Sequence, residues 1–330
     1  MDDDRLVNLA AAFGGVFTTR EALFCGYDEA TIARRVRTGV WHRIRRGAYV
    51  VGAQWVASGT PQRHLLTLRA VLRAASGEVG SHTSGSLALG VDMWEPDLDQ
   101  VHTTYLDLRH GRQEHGVNRH AGPLDRAACV TTDGIWVAPP AICVAGAMLR
   151  HPVKKAIVIG DSALNKGIVG EQELAAIAHD WWYHPWSRRL RYSVSQLDTG
   201  AESPGESLAR HLFVSRGLPR PQTQFWVYGP DGFLARTDFA WPQRGVLGEF
   251  DGKKKYLRDN SDRDPGETVF AEKRREDRLR RLGWSVVRLV WADLFTPDAT
   301  VARISAALAE GAPAASGAGL YRETRGFPGS

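Results

Sequence analysis

Short apolar stripes alternate with capping and turn residues in the N-terminal part of the chain. The spacing predicts helices over 6–13, 19–23 and 29–38, followed by two strands within 41–51. Thr19 and Asp28 occupy N-cap positions, because a short polar side chain there accepts a backbone N–H of the first turn. The strands turn at Arg46-Gly47. Helices followed by a basic hairpin are the arrangement of a winged helix-turn-helix.

The middle of the chain mixes both kinds of element. Helices are predicted over 62–76, 81–90, 161–167 and 171–179, and strands over 100–107 and 115–121. Several histidines lie here without the ligand spacing of a metal site and are interpreted as scattered polar residues: His82, His110, His115 and His120. Four aromatic residues are expected to pack in a core or domain interface rather than to stack on bases: Trp181, Trp182, Tyr183 and Trp186.

The pattern is most regular after residue 199. It predicts a helix over 204–217, strands over 223–228, 233–241 and 246–251, a helix over 267–282 and a strand over 285–291. The order αβββαβ predicts a mixed sheet with helices packed on it. Residues 311–330 are rich in Gly, Ala and Pro and are expected to be disordered.

A chain of 330 residues is long for one core. We therefore predict a mixed α+β protein with a winged-helix domain at 1–55, a middle α/β domain at 56–198, a third domain at 199–310 and a tail at 311–330. Three well-separated cysteines indicate neither a disulfide framework nor a zinc site. The acidic start lacks an apolar signal region, and no long apolar run is present. The expected location is the cytoplasm, without a membrane association.

Charge is distributed unevenly, although the net charge is only +5. Between Ala30 and Gly77 there is no Asp or Glu, whereas arginine is frequent. Such a stretch favours a polyanionic partner, with a basic face that serves only solubility as the alternative. The candidate DNA-contacting residues are Arg34, Arg35, Arg37, His42, Arg43, Arg45 and Arg46.

Carboxylates converge on two of the C-terminal strands. If residues 242–245 form a four-residue hairpin loop, Asp238 lies directly opposite Glu249, with Asp251 on the same face. Like charges opposed in this way favour a divalent cation between them, and oxygen ligands suit Mg²⁺. The alternative is a salt-bridge cluster in which Arg236, opposite Asp251, provides the cation.

Charged residues near these strands extend the candidate site. Lys253, Lys254 and Lys255 follow Asp251 closely, and one of them could stabilise charge on a phosphate. In the long helix, Glu272 and Lys273 lie on or beside the apolar stripe. The alternatives are a solvated lysine run and exposed pairs of charges on the helix surface.

These motifs together resemble the PD-(D/E)XK nuclease superfamily, most closely its branch related to very-short-patch-repair endonucleases. The resemblance covers residues 200–298 and rests on Asp238, on Glu249-Phe250-Asp251-Gly252, on the 272–277 helix motif and on the 283–288 strand. It implies a restriction-endonuclease fold and cleavage of DNA with Mg²⁺ or Mn²⁺. Asp238 and Glu249 would then be metal ligands, and Asp251 is a further candidate only because strand geometry places it on the same face. Glu206 would correspond to the helix carboxylate of the superfamily, although Ser203-Pro204-Gly205-Glu206 is also a capping box.

One position departs from the superfamily pattern. Asp251 stands two residues after Glu249, where a lysine is usual. Catalysis would therefore require a lysine from elsewhere, with Lys253, Lys255 and Lys273 as the candidates.

Residues 5–150 resemble the AbiEi-type antitoxin family of type IV toxin–antitoxin and phage-abortive systems. The resemblance rests on the 41–50 and 81–88 segments, WHRIRRGAYV and SHTSGSLA. It implies a DNA-binding autorepressor with a cognate toxin as partner.

Three functions are therefore left open. One is a Mg²⁺-dependent DNA nuclease targeted by its N-terminal domain. Another is a non-enzymatic repressor with an inactive nuclease fold, and the last is an adaptor that neutralises a toxin through residues 80–195. DNA is the expected partner in the first two, and a homodimer is an open alternative.

Overall fold

The protein is described by a computed structural model. It covers residues 3–75, 77–107, 110–122, 124–252, 265–312 and 320–321, with the backbone alone for 3, 265–272 and 320–321. The chain divides into two compact units, Met1–Ser195 and Gln196–Ser330. None of the described helices combines the length and apolar character needed to cross a membrane.

The first unit begins with a helical bundle and a small sheet. The elements are α1 (Asp3–Ala11), β1 (Phe17–Thr18), α2 (Thr19–Phe24), α3 (Glu29–Arg37), β2 (Trp41–Arg45) and β3 (Ala48–Val51). The predicted helices and hairpin are confirmed. The N-cap of α2 is Thr18 rather than Thr19, because the hydroxyl of Thr18 accepts the N–H of Glu21 while the Glu21 carboxylate accepts the N–H of Thr18.

An aromatic cluster forms the core of this first part. The ring of Trp41 meets those of Phe17 and Tyr27 edge to face, at 4.8 and 4.9 Å between centroids. Ile32 of α3 is buried in the same cluster. The aromatic core thereby fixes α3 against the hairpin, which sets the orientation of its outer face.

A six-stranded mixed sheet and several helices complete the first unit. The elements are α4 (Gly52–Ala57), α5 (Thr60–Ala74), β4 (Glu78–Gly80), α6 (His82–Ala88), β5 (Val101–Tyr105), β6 (Arg112–Glu114), β7 (Val117–His120), β8 (Val130–Thr132), β9 (Ile135–Val137), α7 (Pro140–Arg150), α8 (Val153–Asn165), α9 (Glu171–Asp180) and α10 (Ser187–Ser195). The strand order is β6-β7-β5-β4-β9-β8. β5 pairs in parallel with β7, and β4 pairs in parallel with β9. The sequence pattern predicted β5, β7, α5, α6, α9 and the C-terminal part of α8, but not α4, α7, α10 or the shorter strands.

The aromatic residues after α9 are not packed in a core. Trp182, Tyr183 and Trp186 are 70%, 69% and 60% exposed. Trp181 is half-buried. The expectation of core or interface packing is therefore wrong for three of the four rings, because the intervening turn directs them outward.

The second unit is a five-stranded sheet with helices on both faces. Its elements are α11 (Pro204–Ser215), β10 (Gln222–Gly229), β11 (Gly232–Trp241), β12 (Val246–Asp251), α12 (Pro265–Arg281), β13 (Ser285–Val290), α13 (Trp291–Leu294), α14 (Pro297–Glu310) and β14 (Leu320–Tyr321). The strand order is β13-β12-β11-β10-β14. The predicted helix, three strands, helix and strand are present in that order. β14 lies in the tail segment that was expected to be disordered, and most of that tail lies outside the described residues.

Two apolar layers hold this sheet. On one face Phe213 of α11 packs against Phe239 and Trp241, with Ile304 and Leu308 of α14 in the same cluster. On the other face Leu279 of α12 joins a separate cluster with Leu247, Phe225 and Trp284. β12 therefore lies between two helical layers, and the carboxylates at its end are placed by both.

Candidate functional site

The outer face of α3 carries two exposed arginines. Asp28 caps the helix by accepting the N–H of Thr31 at 2.7 Å. Ile32 faces the core, whereas Arg34 and Arg37 are exposed near the C-terminal end of the helix. The guanidinium groups lie in solvent, where they are available to phosphates or base edges.

Arg35 has a different environment. Its guanidinium carbon lies 5.0 Å from the ring centre of Tyr27 and 5.2 Å from that of Trp41. A guanidinium at this distance from an aromatic face is attracted by the ring quadrupole. The structure therefore places Arg35 against the aromatic core of its own domain.

The basic residues of the hairpin also differ in their environments. Arg43 and Arg46 are exposed. The ring of His42 stacks on that of Trp55 at 4.1 Å, and burial together with the charge of Arg63 lowers the pKa of His42. Burial lowers the pKa of Arg45, whose guanidinium also interacts with the carboxylates of Glu78 and Glu114.

The arginines of α5 serve the interior of the first unit. Arg73 forms an ion pair with Glu21 and lies over the ring of Phe13 at 3.6 Å. Arg69 donates to the carbonyl of Asp133 at 2.9 Å. Much of the acid-free stretch thus holds the unit together, and the exposed positive charge is concentrated in α3 and the hairpin.

In the second unit, the predicted register of β11 and β12 is confirmed from Phe239 to Val246. Trp241 pairs with Val246 and Phe239 with Gly248, as the four-residue loop predicts, whereas no pairing of Asp238 with Glu249 is present among the described strand residues. Regular pairing ends at Phe239, and beyond it the carboxylate of Asp238 accepts the backbone N–H of Phe250 at 2.7 Å. The carboxylate of Glu249 forms an ion pair with Arg275 of α12 at 2.8 Å.

Glu206, at the start of α11, lies near Asp238. Its Oε1 accepts the hydroxyl of Ser203 at 2.6 Å, and its Oε2 accepts the N–H of Glu202 at 2.9 Å. Burial and the nearby charge of Asp238 raise the pKa of Glu206 to about 7. The capping interaction with Ser203 is therefore present, and the same carboxyl is also poised to exchange a proton at neutral pH.

Gln224 of β10 completes this carboxylate site, which consists of Glu206, Gln224 and Asp238. Its Nε2 donates to Oε2 of Glu206 at 3.1 Å, whereas its Oε1 is buried without a hydrogen-bond partner. The backbone at Gln224 has φ +49°, in the left-handed region that costs free energy for a residue other than glycine. Sequence reasoning missed Gln224, because an uncharged side chain in a strand gives no signal of its own.

The other residues predicted for this site have no described contact with Glu206, Gln224 or Asp238. Asp251 is half-buried two residues beyond Glu249. Lys273 is exposed on α12. Lys253 and Lys255, and the side chain of Glu272, lie outside the described residues. Arg236, considered as a cation for Asp251, pairs with Glu202 instead.

A metal centre would need oxygen ligands from several of these side chains. Within the described residues there is no group of three or more His, Cys, Asp or Glu arranged to hold a metal ion. The oxygen ligands that lie close together are the carboxyls of Glu206 and Asp238, and the side-chain amide of Gln224 is hydrogen-bonded to Glu206. These are hard oxygen ligands of the kind that Mg²⁺ and Mn²⁺ accept, so the chemistry of the donor set fits such an ion.

The structure also brings together three histidines of the middle sheet and α6. The rings of His82 and His120 stack at 3.7 Å, and Nδ1 of His102 lies 3.0 Å from Nε2 of His120. Burial lowers the pKa of His102 to about 2 and that of His120 to about 4. The interpretation of these histidines as scattered residues is wrong for His82 and His120, because the unpredicted parallel pairing of β5 with β7 brings them into contact with His102.

Comparison with known proteins gives two findings. Residues 4–52 match the family described as a transcriptional regulator, AbiEi antitoxin. The uncharacterized proteins MT2308 and Rv2248 of Mycobacterium tuberculosis, from strains CDC 1551 / Oshkosh and ATCC 25618 / H37Rv, are each 34% identical to this chain over 237 residues. That stretch covers 72% of this chain and 79% of each relative. The chain therefore belongs to the family of these mycobacterial proteins, and its N-terminal region matches the AbiEi antitoxin transcriptional regulators.

Proposed function

We propose that the protein is a DNA-binding transcriptional regulator of the antitoxin type. The observation that supports this most directly is the set of exposed arginines on α3 and the hairpin, within the region that matches the AbiEi regulators. In helix-turn-helix proteins the second helix of the pair enters the major groove, and cationic flanks hold phosphates. Arg34 and Arg37 would lie along the groove, and Arg43 and Arg46 would contact the backbone beside it. An antitoxin role also implies a cognate toxin protein as partner.

The test is binding to the DNA upstream of the gene that encodes this chain. Arg34→Ala combined with Arg37→Ala should weaken specific binding strongly and reduce the salt dependence of log K by about 0.9 for each lost phosphate contact. A matched control removes two exposed arginines of α12, Arg274 and Arg278, and should leave this binding unchanged. Equal affinities of wild type and the Arg34/Arg37 variant would overturn the proposal.

A second candidate function is metal-dependent hydrolysis of DNA phosphodiesters by the second unit. It is supported by the proximity of Glu206 to Asp238, where burial and the charge of Asp238 raise the pKa of Glu206, and by the buried oxygen of Gln224 that has no hydrogen-bond partner. Mg²⁺ or Mn²⁺, when held by these oxygens, would stabilise negative charge on a phosphodiester. Such a cation would lower the pKa of Glu206, so this carboxyl would act as an ionised ligand.

Cations of the chain bear on the same chemistry. Arg275 balances the charge of Glu249 through their ion pair. Asp251 occupies the position of the usual lysine, so a lysine from another position would have to stabilise the developing charge. Lys273, on α12, is the described candidate, and Lys253 and Lys255 remain predictions.

Plasmid nicking with Mg²⁺, Mn²⁺ or chelator tests this second function. Wild type should nick only with metal, and Glu206→Gln or Asp238→Asn should abolish nicking. Metal should also raise the melting temperature of wild type but not of Asp238→Asn, which separates metal binding from turnover. A metal-dependent rise in melting temperature without nicking would indicate a domain that binds metal but does not cleave DNA. If metal produced neither effect, only the regulator function would be supported.

A further inference from the structure

The turn between α9 and α10 carries large aromatic side chains that the fold leaves in solvent. Trp182, Tyr183 and Trp186 are each at least 60% exposed. Exposed apolar surface of this size, gathered in one place, usually marks an interaction site rather than a structural feature. Neither the winged helix nor the carboxylate site uses these rings.

Hydrogen bonds hold the backbone of the turn that carries these rings. His184 N–H donates to the carbonyl of Trp181 at 2.9 Å, and the buried Ser187 donates its hydroxyl to the carbonyl of Trp182 at 2.8 Å. Trp186 has φ +66°, a left-handed conformation that is rare and unfavourable for a bulky residue. Hydrogen bonds thus order the turn. The unfavourable backbone conformation of Trp186 is retained, and its side chain is exposed.

Basic residues follow the exposed rings in the sequence. From Trp181 to Leu197 the sequence contains no Asp or Glu, whereas Arg188 and Arg191 are exposed on α10. Arg189 lies over the ring of Trp186 at 5.3 Å while donating to the carbonyl of Leu149 at 2.6 Å. The nearest acid in sequence is Asp180, whose Oδ1 lies 3.5 Å from Nδ1 of His179.

We propose that the aromatic-basic surface, formed by Trp182, Tyr183, Trp186, Arg188 and Arg191, binds single-stranded DNA. Aromatic rings offer stacking faces to unpaired bases, and arginines hold the phosphates between them. A duplex gives no free base face, because its bases already stack on one another. Protein interfaces are also rich in Trp, Tyr and Arg, but the acid-free run from Trp181 to Leu197 favours a polyanion over a protein surface of mixed charge. DNA is favoured over RNA on the basis of the proposed function, since the N-terminal region matches transcriptional regulators.

Fluorescence anisotropy with a labelled oligo(dT) and the full-length protein tests the proposal. Combining Trp182→Ala with Trp186→Ala should weaken binding roughly tenfold for each ring removed. Phenylalanine at both positions should restore most of the affinity, since it keeps a stacking face. Arg188→Ala with Arg191→Ala should reduce the salt slope by about 0.7 for each lost phosphate contact.

Two controls separate this surface from others. Phe295→Ala removes an aromatic residue of the second unit that is 68% exposed and should not change oligo(dT) binding. The Arg34/Arg37 variant should lose duplex binding but keep oligo(dT) binding. Circular dichroism verifies that each variant is folded.

Several outcomes would overturn the proposal. Wild type that does not bind oligo(dT) at low salt, or a double-alanine variant that binds as wild type does, would exclude this use of the rings. Tighter binding of oligo(rU) than of oligo(dT) would exclude DNA as the ligand. Loss of a co-purifying protein in the double-alanine variant, with oligo(dT) binding unchanged, would assign the surface to protein docking instead.

Discussion

At the scale of single residues, the basic side chains of the first unit differ in what their charged groups touch. Arg34 and Arg37 lie in solvent, whereas Arg35 packs on aromatic rings. The sequence could indicate the excess of arginine but not this division. Neighbouring positions of one helix differ by about 100° in direction, and which of them meets a ring depends on tertiary packing.

This difference leads to a prediction for Arg35→Ala. The change removes two cation–π contacts, each worth about 0.5–1 kcal/mol at a partly exposed site. The melting temperature should fall by a few degrees, while the affinity for DNA per folded molecule changes less than in Arg34→Ala. Thermal denaturation and DNA titration of both variants measure these effects. A loss of DNA affinity in Arg35→Ala as large as in Arg34→Ala, at unchanged stability, would contradict it.

The histidine cluster leads to a prediction about pH. The native pKa values of His102 and His120, about 2 and about 4, lie below the value near 6.5 of an unfolded histidine. As pH falls below 6.5, the unfolded chain therefore binds protons that the native protein does not. Its stability should be insensitive to these groups above pH 7 and should fall as pH decreases from about 6.5 towards 4.

His120→Gln provides the comparison for that effect. Removing one such histidine should lessen the slope of unfolding free energy against pH by up to about 1.4 kcal/mol per pH unit within that range. Denaturant unfolding of wild type and variant between pH 7.5 and 4.5 measures the slope. If the two plots of unfolding free energy against pH were parallel, His120 would take up a proton equally in the native and unfolded states.

At the scale of elements, close packing between α11 and β12 positions the carboxylate site. A Cβ added at Gly205 would lie 2.1 Å from Cε1 of Phe250. Glycine therefore lets the first turn of α11 lie against the Phe250 ring. The same contact places Glu206, the next residue, close to Asp238.

Gly205→Ala should disturb both the packing and the site. Forcing a methyl group into this contact should cost about 1–3 kcal/mol, and displacement of Glu206 from Asp238 should lower its pKa. Chemical denaturation and the NMR titration of Glu206 report the two effects. Gly122→Ala is the control, because no atom lies within 4 Å of the added Cβ. Phe250→Leu should rescue Gly205→Ala in part, and a lack of rescue would place the strain elsewhere.

Elements with a clear period or a defining loop could be predicted from the sequence, and others could not. The hairpin loop after Trp241 predicts the register of β11 and β12 from Phe239 to Val246 correctly, but the pairing ends before Asp238 and Glu249. The helix α7 was missed because residues Cys143–Leu149 are all buried, which removes the helical period. β4, β6, β8 and β9 have three residues each, too few to show an alternation. Gln224 was missed because its strained backbone is visible only in three dimensions.

At the scale of the whole molecule, the two candidate functions lie in different compact units. The exposed arginines belong to the unit that ends at Ser195, and the carboxylate site belongs to the unit that begins at Gln196. Sites without shared contacts usually respond to mutation independently. The DNA-binding and metal-binding properties should therefore be separable by substitution in the intact chain.

The last prediction is a double dissociation between these properties. Arg34→Ala with Arg37→Ala should abolish binding to the upstream DNA and keep the Mg²⁺-dependent rise in melting temperature, because the carboxylate site is untouched. Glu206→Gln with Asp238→Asn should remove that rise and keep DNA binding. The neutral variant should also be at least as stable as wild type in chelator near pH 8, where the two carboxyls are ionised and repel each other. If the carboxylate variant lost upstream-DNA binding while remaining folded, the two properties would be coupled. The second unit would then contribute to the DNA binding of the first.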